Sequence, residues 1–424
     1  MAQLVRPLGA GSRLVGSLLM LLLLGATLSG CGDDAEVASR PTSPSDDPRD
    51  YDVDTSVAYQ IDVSEPRWVI PSAGLPADTA AVSNANVEIH FFGGKLYMAW
   101  RAAPFHFASS ETKMQVVSST DGGLTWDLET TIAVGRDVRE PRLFDAAGEL
   151  HLVFFEAGTN ALAFEPNRML QVVRDEAGKW SDVEVVADQP EVPWDIKRRV
   201  AAAGEASQLW MTSYMGDHYG GEGSVVQVFF KHSSDGYTWS PVAGDGVAYR
   251  GGVSEVAFEF TQAGDLWAVT RNEDGDASGC GSHVCVARAG DLGTWDCPDV
   301  SDPERYDSPE MFRHGDDLYL IARRDIGGPF GTGPDACSLV AYSQRAKTTA
   351  LYKIDTSERK VVHIQDLPGA GDTAFASVRR IDAHHFLVAN YTAPLDDPNQ
   401  TWVKGQTSDR GTQVYFVDIR FVAQ

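Results

Sequence analysis

Basic residues are scarce in this chain: 35 lysines and arginines stand against 60 aspartates and glutamates, a net charge of −25. No basic stripe or block offsets the deficit. Nucleic-acid backbones are bound by clustered cations, so a nucleic-acid function is excluded. Cysteine is also rare, with five in 424 residues. None stands in a Cys-x-x-Cys pair or a histidine-rich tract, so the ligand spacing of a zinc site is missing. No metal and no cofactor is expected. Helical periodicity is lacking as well. What the chain does have is apolar mass, 43% of residues with 10% aromatic, so a large core can form and disorder is excluded for most of the length. Its 40 glycines point to many turns.

The N-terminus reads as an export signal. Arg6 and Arg13 precede an apolar run over 14–28, followed by Leu28-Ser29-Gly30-Cys31. A basic region, an apolar stretch and a small-residue cleavage site make a secretory signal, too short and wrongly flanked for a membrane span. The cysteine directly after Leu-Ser-Gly resembles the bacterial lipobox. That resemblance implies cleavage before Cys31, acylation of its thiol, and a lipoprotein anchored through Cys31 to the cell envelope membrane, periplasmic or at the cell surface. The alternative is an ordinary signal with an incidental cysteine. Removing residues 1–30 leaves 33 lysines and arginines against 60 acids, a net charge of −27. From 32 to about 56 the chain is aspartate, serine and proline with little to pack, which predicts a solvated tether. The expected organisation is a signal over 1–30, a tether over 31–59 and one folded domain over 60–424. The four remaining cysteines, Cys280, Cys285, Cys297 and Cys337, predict two disulfides with three possible connectivities.

The domain is a repeat. Short apolar runs introduced by glycine or acidic turns place Leu96, Leu150, Leu209, Leu266, Leu318 and Phe386 at spacings of 54, 59, 57, 52 and 68 residues. Trp126, Trp180, Trp239 and Trp295 follow the first four at offsets of 30, 30, 30 and 29. Six strand-rich units of this length predict an all-β fold, a six-bladed β-propeller with four antiparallel strands per blade. Residues 412–422 are expected to pair with strands from 57–70 and close the ring. A five-bladed ring with an added sheet is the structural alternative.

The tryptophans sit in turns such as Ser118-Ser-Thr-Asp121-Gly122-Gly123-Leu-Thr125-Trp126 and Ser233-Ser-Asp235-Gly236-Tyr-Thr238-Trp239. Aspartate accepts hydrogen bonds from turn amides, glycine takes positive φ, and tryptophan packs beneath. These segments resemble the Asp-box of sialidase-type propellers, which marks a fold and lies away from the family's active site.

In a blade, the start of the first strand and the end of the second share one rim. First-strand starts are expected to carry Glu88, Glu140 with Arg142, Arg198 and Arg199, Glu255, Glu310 and Asp372; second-strand ends carry Arg101, Glu156, Tyr214, Arg271, Arg323 with Arg324, and Tyr391. Polar groups converging over a channel predict a carbohydrate site, with a glycan or glycoconjugate as ligand. The stretch from Glu255 to Arg271 resembles the sialidase segment in which a glutamate opens one strand and a triad arginine closes the next. That likeness implies Glu255 as support for a nucleophile and Arg271 as the grip on a substrate carboxylate. Arg101 likewise resembles the arginine ending the family's first hairpin, and Arg323 or Arg324 is expected to complete the triad. Glu88 stands where the family opens with arginine, and Phe375 where its tyrosine would be. His106 is read as either a general acid or a packing residue. Arg139-Glu140-Pro141-Arg142-Leu143-Phe144 resembles the Arg-Asp-Pro segment of fructan- and arabinan-type glycosidases. Glu140, Glu255 and Glu310 are therefore the expected acid, base or nucleophile of a sialidase-like, exo-acting glycoside hydrolase. A surface propeller that binds glycan or protein without catalysis is the other reading. The acidic segment 272–276 is expected to be a solvated turn.

Overall fold

The computed structural model describes residues 53–199, 207–219, 225–298, 302–330 and 336–424. The signal segment and Cys31 lie outside the described residues. Strands dominate and pair antiparallel in six sheets, each built largely from consecutive strands. The inner strands are Ser83–Phe92, Asp137–Ala146, Val192–Arg199, Val253–Phe260, Asp307–His314 and Ser377–Asp382, opening blades one to six in turn. Each blade then adds a second, third and outer strand, giving the expected six-bladed propeller. Blade three carries an extra strand, Val247–Gly251, on its third strand.

Blade six closes the ring with both ends of the domain. Its third strand, Gln413–Ala423, pairs His385–Thr392 on one side and Tyr59–Val63 and Arg67–Ile70 on the other. Thr412 then ties the closure to blade one, since its hydroxyl accepts from the Asn84 amide at 2.8 Å. Val53, ahead of the first strand, is already buried.

Two faces follow from this order. The second-to-third loops and the blade-to-blade crossings gather on what we call the front face. The first-to-second turns and the third-to-outer turns gather on the back. The Asp121 turn is on the back face, and its carboxylate accepts from the amides of Leu124 and Thr125 at 3.0 and 2.9 Å and from the Thr125 hydroxyl at 2.6 Å. Gly123 sits there at φ 83°, where a Cβ would come within 2.9 Å of Trp126 and 3.0 Å of Phe416, so only glycine lets blade one press against blade six. Gly236 plays the same part between blades three and two, against His151, Ala146 and Phe144. Among the described residues helix is confined to two single turns, Leu339–Ser343 and Trp402–Gln406, both in front-face loops. No helix among the described residues is long and apolar enough to cross a membrane.

Of the three connectivities, the structure has Cys280–Cys337 and Cys285–Cys297. The first joins front-face loops of blades four and five, and the second stays within blade four. Two disulfides suit an oxidising compartment, extracellular or periplasmic. Peptide mapping without reductant is expected to recover these two pairs. Reduction should loosen hydrogen-exchange protection in blades four and five first, at roughly 3–4 kcal/mol per bridge by loop entropy. Free thiols at all four positions, or uniform loosening around the ring, would contradict this pairing.

Candidate active site

The inner strands enter the channel from the front face and are interrupted almost at once. Register slips between Ala85 and Glu88, Arg139 and Arg142, Pro193 and Asp195, Val253 and Val256, and Asp307 and Glu310. Pro141, Pro193 and Pro309 stand at or beside these bulges, where a missing N–H breaks no ladder. Asn86, Glu140 and Ser308 hold φ of 50°, 54° and 53° there, a region that non-glycine residues rarely adopt and that clusters at functional sites. A bulge resets the alternation of side chains. The single rim expected from the sequence is therefore split into a front mouth and a layer inside the channel.

Glu140 and Glu255 belong to the mouth. The Glu140 carboxylate accepts from the Asn86 side chain at 3.1 Å. Burial first, and the Glu255 carboxylate second, push its pKa up to about 8. Glu255 is held differently: it accepts from Arg271 and from the Ser308 amide, both at 2.7 Å. Burial raises its pKa too, against the pull of Arg271. Tyr214 is buried within the field of both carboxyls. The mouth thus holds one carboxyl whose pKa is pushed up to about 8 beside one that accepts from an arginine and a backbone amide.

Arg271 is placed otherwise than expected. It is buried and donates to Glu255, to Asp307 at 2.5 Å and to Glu273. Burial alone would lower its pKa; these carboxylates raise it well above the usual arginine value. A substrate carboxylate would have to displace three resident ones, so the arginine serves the protein's own acids. Arg101 is equally committed, to Asp137 at 2.9 Å and to the carbonyls of Phe105 and Phe107. Arg323 donates to the Thr373 carbonyl at 2.7 Å and lies over Trp402. Arg324 faces away from the channel and pairs with Asp366 at 2.7 Å, because successive strand residues point to opposite sides. His106 has both ring nitrogens engaged, by Asp372 at 2.7 Å and Gln406 at 2.8 Å, among Phe107 and Trp402. Asp372 also accepts from Tyr391 at 3.1 Å. These three form one network at the edge of the mouth.

Glu88, Arg142 and Glu310 lie in the inner layer. Arg142 donates to Glu88 at 3.1 Å and stacks on Trp194 and Phe375. Glu310 accepts from Lys197 at 2.7 Å. Glu310 is thereby separated from Glu140 and Glu255, so the three-carboxylate cluster expected from the sequence becomes a pair. Trp194 of blade three meets Phe375 of blade six edge-on at 5.3 Å. These blades face each other across the ring, so the two rings plug the channel between mouth and interior.

Several mouth residues carried no strand signal. Arg139 bonds Asp137 at 2.5 Å and the His106 carbonyl at 3.0 Å. His218 bonds Asp274 at 2.6 Å and stacks on Tyr219. The 272–276 segment is no solvated turn, because Glu273 is buried against Arg271 and Arg305. Arg139 lies at the start of the blade-two inner strand and His218 and Glu273 in front-face loops, and their contacts are with residues from other loops and blades. Prolines inside inner strands are a signal that would have located three of the five bulges.

The solved structures most informative for this architecture agree with it. One is a Dyadobacter fermentans protein of unknown function (12% identity, TM-score 0.53, covering 80% of this chain and 94% of that one). Another is a Trypanosoma rangeli sialidase mutant displaying trans-sialidase activity (14%, 0.52, 79% and 54%). A third is the phage phi92 endosialidase (10%, 0.54, 87% and 70%). The fold is sialidase-like. This sialidase-like chain spans little more than half of the trypanosomal enzyme. No protein-family model matches it, and no curated protein is similar to it. Among the described residues no group of three or more histidines, cysteines, aspartates or glutamates is placed to hold a metal ion.

Proposed function

We propose that the front mouth is the site of an exo-acting, sialidase-like glycoside hydrolase, with Glu140 as proton donor and Glu255 as its ionised partner. The observation that carries this reading is the pair itself: two carboxyls from blades two and four at one mouth, one held by an amide side chain and the other by arginine and a backbone amide. A proton retained near neutrality suits donation to a leaving glycosidic oxygen. The sialidase-like frame supports a glycan ligand. With Arg271 already matched by protein carboxylates, neutral hydroxylated glycans suit the mouth better than acidic ones. The repeated aspartate turns are read as Asp-boxes, the domain as residues 60–424, and the chain as a lipoprotein held to the envelope through Cys31.

The other reading, a glycan- or protein-binding propeller without catalysis, is favoured by one observation: Phe375 fills the channel where the resemblance calls for tyrosine. A panel of aryl glycosides with neutral and anionic sugars separates the two. Hydrolysis is expected for a neutral sugar, fading above about pH 8 as Glu140 loses its proton. Saturable glycan binding with no released product at any pH from 5 to 9 would leave the binding module standing.

A further inference from the structure

Tyr219 follows the second strand of blade three, Gln208–Gly216, in a front-face loop. Its φ is 66°, a conformation that is costly for an aromatic residue and persists only where the surroundings hold it. Asp274, from the front-face loop of blade four, does the holding. Its carboxylate accepts from the Tyr219 amide at 3.1 Å and bonds the His218 ring at 2.6 Å. Strain held in this way clusters where a side chain has a task.

Despite this anchoring, Tyr219 is 40% exposed. His218 covers one face of its ring, stacked with centroids 3.8 Å apart. Phe164 stands perpendicular to both rings, 5.4 Å from His218 and 5.8 Å from Tyr219. Those two similar distances put Phe164 beside the stack, so it does not cover the outer face of Tyr219. The hydroxyl end is tied to the mouth: Arg271, which donates to Glu255 at 2.7 Å, also reaches the Tyr219 oxygen at 3.4 Å. An open aromatic face is thus fixed one guanidinium away from Glu255.

We infer that Tyr219 is the platform on which the mouth seats the C–H face of a neutral pyranose. The inference rests on the glycan reading of the mouth. The C–H groups of a sugar ring are weakly positive and pack on the negative face of an aromatic ring, which leaves the hydroxyls at the sugar's edge for polar partners. An aliphatic side chain at this position would fill the space without offering that face.

Titration calorimetry tests this with lactose, cellobiose, chitobiose and mannobiose as probes. The parent is the Glu140→Gln chain, which keeps the mouth but not the proposed acid, so that binding is read without turnover. Tyr219→Phe keeps the ring and should bind within about twofold of the parent, because a 3.4 Å contact at the hydroxyl is a weak hydrogen bond. Tyr219→Leu should bind about tenfold more weakly, the scale of one aromatic contact. Tyr219→Trp enlarges the face and should bind at least as tightly as the parent, which a mere packing role would not allow. Undiminished affinity with leucine, or equal loss with phenylalanine and leucine, would overturn the inference and leave the glycan reading standing. A parent that binds none of the four sugars would overturn both.

Discussion

Replacing Arg271 with alanine is expected to cost about 3–5 kcal/mol of folding stability, because removing one partner from a buried ion network strands the others. Glu255, Glu273 and Asp307 each lose a donor, and all three are buried. Arg305 still reaches Glu273 and Asp307, so Glu255 is left worst off, with the Ser308 amide as its remaining donor. Arg271→Lys keeps the charge but supplies fewer fixed donors than the planar fork, and should fall between alanine and wild type. Equilibrium unfolding in urea measures both. A stable alanine variant that had lost only glycan affinity would restore the arginine to the role the sialidase resemblance implies, that of the ligand anchor.

Replacing Glu140 with glutamine is expected to lower turnover by about 10²–10⁴-fold, the usual contribution of a positioned general acid. The side chain keeps its shape and its place beside Asn86, so stability near neutral pH should hold or improve. The pH dependence adds an independent check. The pKa of Glu140 is raised from an ordinary 4.5 to about 8. Across that window the folded chain holds a proton that the unfolded chain releases, so this group's contribution to stability falls as pH rises. The glutamine variant should lose that slope, and the alkaline decline in kcat/KM should go with the activity. Hydrolysis that survives Glu140→Gln, with its alkaline limb intact, would move the acid elsewhere.

The distance between expectation and structure is itself physical. The six blades were legible because each repeats the same local chemistry, a glycine or acidic turn and an apolar second strand, with a tryptophan 29 or 30 residues on in the first four. Residues that form a strand and a tight turn need only their neighbours in sequence to do so. The cysteines were legible for a similar reason, although their pairing was not, since three connectivities satisfy the same spacing. The rim was legible only in outline. Counting along strands put Glu88, Arg142 and Glu310 beside Glu140 and Glu255, but alternation fails at a bulge, and the bulges moved the first three beneath the plug. Arg323 and Arg324 look equivalent in sequence, yet one faces the channel and the other Asp366.

The charge assignments lay further still from the sequence. Arg271 finds Asp307 across 36 residues and Glu255 across 16, and His106 finds Asp372 across 266. Which carboxylate matches which arginine depends on how blades meet around a ring. By itself, then, the sequence determined the repeat, the strand order within each blade, the closing partner of the last strand and the disulfide count, because all of these follow from local pattern. The tertiary structure alone decided which acids share a mouth, which arginines are already occupied and where the channel is blocked. Burial and distance set the energy of a charge, and neither can be read along the chain.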